Sequence, residues 1–301
     1  MSHLGRRRMP RLTAVVALAV ALLLAACSGN AQSVSSNGGG GDDKSVTIGY
    51  VPFDEVIAVS YLWKNLLEKQ GYQVEMQQLE VATVYQGVAN GQLDVFFGGV
   101  PITHKDYWDR FGKDFTTVGQ WYDTLLQGIA VPNYSGLKKL SDLQGKSAQF
   151  GGQIVGIEAG SGLMRQTSQD ATKTYDLSGY KIIDGSTPAM LAALDKAIAQ
   201  KQNIAVTLWT PHWAFERYPI TMLQDDKKAY PGNDTYKVVV SKDFAANSAV
   251  VDEWKGFHMT EDQLSTLMLD ITNAGQGKED TAVQDWIAKN QAVADGWTAK
   301  K

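Results

Sequence analysis

Two indoles and an imidazole fall within five residues, Trp209-Thr210-Pro211-His212-Trp213, at the end of an apolar run over residues 204–208. The run reads as a buried strand. The rings therefore emerge where strand gives way to loop, the edge at which open α/β sheets bind ligands. Aromatic faces attract cations through the ring quadrupole, and indole does so best. The segment can form half of a pocket for a permanently charged ammonium group.

A second constellation is Gly156-Ile157-Glu158-Ala159-Gly160-Ser161-Gly162, which follows a predicted strand and opens a predicted helix. Backbone amides at a helix N-terminus bind anions, so Gly162 and Leu163 can hold a carboxylate. The alternative is a tight turn that only connects two elements. No Gly-Lys-Ser/Thr ending marks a P-loop, and the glycine spacing is not that of a dinucleotide fingerprint. Ala159 stands where a nucleophile elbow around Ser161 would need glycine. The chain has four histidines, none paired at zinc-protease spacing, and one cysteine. These features argue against an enzyme, and they call for neither a metal nor a cofactor.

The elements that hold these residues alternate between strand and helix. Strands are expected at residues 46–51, 72–79, 93–100, 153–157, 181–184, 204–209 and 237–241. Helices are expected at 54–70, 84–89, 163–175 and 188–200, with Ser186 as N-cap and Pro188 in the first turn. Three helical stretches close the chain, one opened by Thr260 with Gln263 at capping-box spacing. The rhythm predicts an α/β fold of two lobes. A weak internal echo agrees with it: helix, apolar strand, proline and histidine recur around Pro101 and His104, then around Pro211 and His212.

The N-terminus carries Arg6, Arg7, Arg8 and Arg11 before an uncharged stretch over residues 12–26, the pattern of a secretory signal. It leads into Cys27, the only cysteine, as in a bacterial lipobox. The predicted mature chain begins with a lipid on Cys27 and a Gly/Ser/Asn tether over 27–45, too polar to fold. Removing residues 1–26 takes four arginines and no acids from 28 Lys and Arg against 32 Asp and Glu, leaving a net charge of -8. Such a chain is a poor nucleic-acid binder.

Together the lipobox, Val46-Thr47-Ile48-Gly49-Tyr50-Val51, Pro101-Ile102-Thr103-His104, the Gly156 to Gly162 turn and the Trp209 to Trp213 loop resemble the extracytoplasmic glycine betaine-binding proteins of osmoprotectant ABC importers. The resemblance runs from Val46 to the C-terminus. It implies a two-lobed type II binding protein, each lobe a sheet flanked by helices, with lobe 1 at 46–131 and 212–301 and lobe 2 at 132–211. Such a protein closes on a methylated ammonium zwitterion and delivers it to a permease and its ATPase. It would act as a monomer, lipid-anchored on the outer face of the cytoplasmic membrane. The alternatives are a ligand sensor, or an importer component for choline or a different zwitterion.

Residue by residue, the resemblance makes Trp209 and Phe53 cage aromatics, His104 a donor to the ligand carboxylate, and Gly162 with Leu163 the backbone donors. One cage tryptophan is missing: relatives carry Ala-Trp-Leu-Pro-x-Thr-His where this chain has Gly98-Gly99-Val100-Pro101-Ile102-Thr103-His104. Losing one cation-π wall costs about 0.5–2 kcal/mol, severalfold to about thirtyfold in affinity. Tyr85, Trp121, Trp213 or another aromatic must fill the gap, or the pocket is opened for a different ligand. Val100 and His212 are further candidates for contact. For His212 a role in capping or orienting its own loop is the preferred account, because His104 matches the carboxylate histidine. Asp54 and Glu55 either lend a favourable field for a cation or only begin a helix, where acids suit the dipole.

Overall fold

The computed structural model describes residues 44–298, and the predicted signal, Cys27 and most of the tether lie outside them. Nine strands form one curled sheet: β1 (Ser45–Tyr50), β2 (Gln73–Gln78), β3 (Val95–Gly99), β4 (Phe115–Pro132), β5 (Gln153–Val155), β6 (Lys181–Ile183), β7 (Val206–Thr210), β8 (Ile220–Met222) and β9 (Asp234–Ser241). Their order is β2-β1-β3-β9-β4-β7-β5-β6, with β8 beside β4. The β1 strand runs parallel to β2 and β3, and β7, β5 and β6 are parallel to one another. Antiparallel β9 and β4 join these two groups.

The long β4 strand belongs to both halves of the sheet. Residues Phe115 to Leu125 pair with β9, and Leu126 to Pro132 pair with β7 and β8. Its register slips three times before Leu125, as bulges that bend and twist the strand would produce. The β8 strand follows the tryptophan-rich loop yet pairs with β4 in the second half.

Helices cover the faces: α1 (Asp54–Lys69), α2 (Val81–Ala89), α3 (Lys105–Phe111), α4 (Gly162–Arg165), α5 (Thr172–Thr174), α6 (Thr187–Ala199) and α7 (Ala214–Arg217). A π-helical stretch, Gln166–Ala171, joins α4 to α5, so the predicted helix is one run with a widened middle. Ser186 accepts from the Ala189 amide, as an N-cap should. The tail holds five helices rather than three: α8 (Lys242–Asn247), α9 (Val250–Lys255), α10 (Glu261–Ala274), α11 (Glu279–Lys289) and α12 (Gln291–Thr298). Short helices α8 and α12 escape a periodicity test that needs two or more clear turns. Thr260 and Gln263 form the expected capping box.

The tail packs on α1. Trp63 meets Trp254 edge to face, Trp286 stacks on Trp297, and Lys64 pairs with Asp280 at 2.8 Å. All four indoles are buried. Among the described residues, no helix is long and apolar enough to cross a membrane.

Candidate functional site

Where the two halves of the sheet meet lies a partly enclosed cavity. One part of its wall is aromatic. Phe53 comes from the turn before α1, Trp209 from the end of β7 and Tyr236 from β9. The Phe53 and Trp209 rings lie 5.6 Å apart, inclined by 59°. Tyr236 is backed by Trp121, whose ring stacks on it at 4.9 Å.

Glu55, one residue into α1 from Asp54, completes this part of the wall. Its carboxyl accepts from Trp209 Nε1 at 2.8 Å and from Tyr236 Oη at 2.7 Å. Complete burial pushes its pKa up to about 7, against those two hydrogen bonds and the His212 charge, which pull it down. Glu55 thus ties a helix of the first half to a strand of the second.

His104 enters from the Pro101 to His104 turn. Asp234, buried at the start of β9, holds that turn by accepting from the Ile102 and Thr103 amides at 3.0 and 2.7 Å. Behind His104 stands Tyr85, whose hydroxyl lies 3.1 Å from Nδ1 and accepts from Trp108 Nε1 at 3.0 Å and, at 3.4 Å, from the Val100 amide. With its oxygen serving two donors, the hydroxyl gives its single proton to Nδ1. Neutral His104 then carries its own proton on Nε2. Burial, aided by the Arg165 charge and opposed by Asp106, lowers its pKa to about 3. It is therefore a neutral hydrogen-bond donor at physiological pH.

Gly162 and Leu163 face the same space at the start of the helical run. Ser161 caps it by accepting from the Met164 amide through its hydroxyl, and the first backbone bond of the turn runs from the Arg165 amide to the Ser161 carbonyl. The amides of Gly162 and Leu163 precede those bonds and are the orphan donors of a helix start. Across the rim, Arg165 reaches Asp106 at 2.5 Å and the Thr103 carbonyl at 2.9 Å, and Tyr107 donates to the Gly160 carbonyl at 3.0 Å.

The structure brings Phe53, Val100, His104, Gly162, Leu163 and Trp209 to one cavity. Four other candidates are not among the residues lining this cavity, and each has a partner elsewhere. Tyr85 supports His104, and Trp121 donates to the Phe97 carbonyl while backing Tyr236. Trp213 donates to Asp54 at 2.8 Å. His212 accepts from the Ala214 amide and sits 2.9 Å from Asp54 Oδ2, at an angle that misses a hydrogen bond.

Tyr236 adds a third ring to the aromatic part of the wall, and sequence reasoning did not name it. The buried alternation of Asp234, Tyr236, Val238 and Val240 was the available signal, had the strand been begun at Asp234 rather than Lys237. Leu125 and Gln127, from β4, were also missed. The described residues contain no cluster of His, Cys, Asp or Glu that could hold a metal ion.

Residues 44–289 match the family model of the substrate binding domain of the ABC-type glycine betaine transport system. A glycine betaine/carnitine transport binding protein, GbuC of Listeria monocytogenes, is 32% identical over 174 residues, 57% of this chain and 55% of that protein. The chain thus spans about half the length of that curated relative. Among solved structures, a glycine betaine/L-proline-binding protein (ProX) of Borrelia burgdorferi is 30% identical with a TM-score of 0.79, covering 84% of this chain and 96% of that one. Lactococcal OpuAC, closed on glycine betaine, is 30% identical with a TM-score of 0.77, covering 85% and 99%. An aromatic wall facing a neutral histidine and a helix start, on a fold shared with these proteins, leads to one conclusion: the chain belongs to the family of substrate-binding domains of ABC-type glycine betaine transport systems.

Proposed function

We propose that this protein captures a methylated ammonium zwitterion, glycine betaine or a close relative, and presents it to an ABC permease and its ATPase. The observation that carries the reading is the polarity of the cavity. Phe53, Trp209 and Tyr236 surround one region together with the Glu55 carboxyl. The His104 imidazole and the amides of Gly162 and Leu163 serve another. The first region suits a quaternary ammonium, which attracts ring faces and negative charge but accepts no hydrogen bond. The second suits a carboxylate, which needs donors.

Capture proceeds by desolvation of the ammonium against the rings, donation from His104 Nε2 and the helix start to the carboxylate, and closure of the rim through Arg165 and Tyr107. A closed state stabilised only when ligand is present is what a permease can read. The sequence reading puts the lobes at 46–131 with 212–301, and at 132–211. The pairing of β8 with β4 supports carrying the second lobe past Met222 before the chain returns through β9. Cys27 carries the lipid that holds a monomeric protein on the outer face of the cytoplasmic membrane, and the polar segment between Cys27 and β1 serves as the tether.

Isothermal titration calorimetry against glycine betaine, proline betaine, carnitine, choline and an uncharged amino acid tests the reading. At least one methylated ammonium compound should bind, and Trp209→Ala should weaken it about tenfold or more by removing a cage face and the donor to Glu55. Binding of the amino acid alone would overturn the ligand class. Choline binding as tightly as the betaines would make the carboxylate region dispensable.

A further inference from the structure

Among the described residues lining the cavity, Glu55 is the only acid, and neither lysine nor arginine joins it there. Both carboxyl oxygens accept hydrogen bonds, from Tyr236 and Trp209, and both donors are neutral groups that leave a negative charge uncompensated. The side chain is fully buried. A carboxyl so placed is favoured in its neutral form until a positive charge arrives. A quaternary ammonium supplies that charge and nothing else: it has no N–H, so it gains from an ionised carboxylate and not from a protonated one.

We propose that Glu55 is the counter-charge of the bound ammonium and that ligand entry expels its proton, coupling capture of the cation to proton release. The proposal rests on the ammonium reading of the cavity. Burial has already raised the carboxyl to about 7, so a proton is present to be released in mildly acidic solution.

The other groups packed around Glu55 do not take over this role. Beside it on α1, Asp54 is turned to Trp213 and His212. From β9, Tyr236 donates to Glu55, and Asp234 is engaged by the Ile102 and Thr103 amides. His104 stays neutral well below pH 6. The lining residues from β4, Leu125 and Gln127, carry no charge. His212 also acts on Glu55, through its charge. The test must separate the two.

Calorimetry with the purified protein and glycine betaine or choline, in buffers of differing ionisation enthalpy, counts the protons exchanged. Release should be about three-quarters of a proton per ligand at pH 6.5 and about one-tenth at pH 8, with affinity rising about tenfold between pH 6 and pH 8. Glu55→Gln should abolish both the release and the pH dependence. The carbon isostere of choline, in which tert-butyl replaces trimethylammonium, should bind wild type without releasing a proton. Ligand binding with no proton release at pH 6.5 would overturn the counter-charge and leave the ammonium reading standing. A pH dependence that survives Glu55→Gln would place the titration on another group and also overturn it. Failure of every ammonium compound to bind at any pH would remove the reading and the proposal together.

Discussion

Gly162 lies so close to Thr103 that a Cβ on it would stand 2.2 Å from the Thr103 carbonyl oxygen and 2.6 Å from its methyl group. The two residues approach the cavity from opposite sides, one at the start of the 162–174 helix and one in the turn that carries His104. Glycine is needed here for the space, and its backbone could accept any residue.

Gly162→Ala should therefore act on closure more than on folding. The added methyl has to push the two backbones apart, an overpacking cost of about 1–3 kcal/mol. Ligand affinity should fall roughly fivefold to more than a hundredfold by calorimetry. The melting temperature of the empty protein should stay near wild type, since alanine is the better helix former.

Tyr85→Phe should change ligand preference. Without the hydroxyl, His104 Nδ1 and Trp108 Nε1 lose their partner, and the imidazole is no longer held with its proton on Nε2. An unmet buried donor or acceptor costs about 1–3 kcal/mol. Glycine betaine affinity should drop severalfold or more while that for choline, which has no carboxylate, stays nearly constant. Comparing the two dissociation constants in wild type and variant checks this.

Arg165→Ala should loosen the rim. Arg165 and Asp106 are partly exposed, so their pair contributes under about 1 kcal/mol, while the hydrogen bond to the Thr103 carbonyl adds to it. A severalfold rise in the ligand dissociation rate, with little change in association rate, is expected in stopped-flow measurements.

Glu55 and His104 tilt the stability of the empty protein in opposite directions. The folded pKa of Glu55, about 7, exceeds the ordinary 4.5, so its stabilisation is complete below pH 4.5 and lost as pH rises through 7. That of His104, about 3, lies below 6.5, so its contribution is complete above 6.5 and lost as pH falls toward 3. Between about pH 4.5 and 6.5 the two slopes oppose each other, one proton against one. Glu55→Gln leaves the His104 slope unopposed. Thermal melts across pH should show the variant more stable than wild type above pH 7, by up to about 3 kcal/mol, with the gap closing toward pH 4.5.

Strands with a strong local pattern were legible in the chain: β2, β3 and the two short parallel strands β5 and β6 lie within the residues where alternation or apolar runs put them, and β1 and β7 each overrun theirs by one residue. The β4 strand was not, because its alternation breaks at Gly119 and again at the register slips, and a bulged strand does not keep period two. The same holds for the site. Trp209 and His104 announce themselves by type and position, but Tyr236 and Gln127 become neighbours only through the antiparallel pairing of β9 and β7 with a strand that had not been seen. The four aromatics and histidines that do not line the cavity were indistinguishable by type from those that do. Only tertiary depth separates Trp121 from Tyr236.

The β4 strand gives this protein a shared inheritance. Leu125 and Gln127 sit on the cavity, two residues apart, where the strand passes from pairing with β9 to pairing with β7. A side chain altered there to fit a new guest also sits where the two halves of the sheet share one strand. Tuning for a bulkier or smaller guest along this strand will also change the packing that joins the two halves.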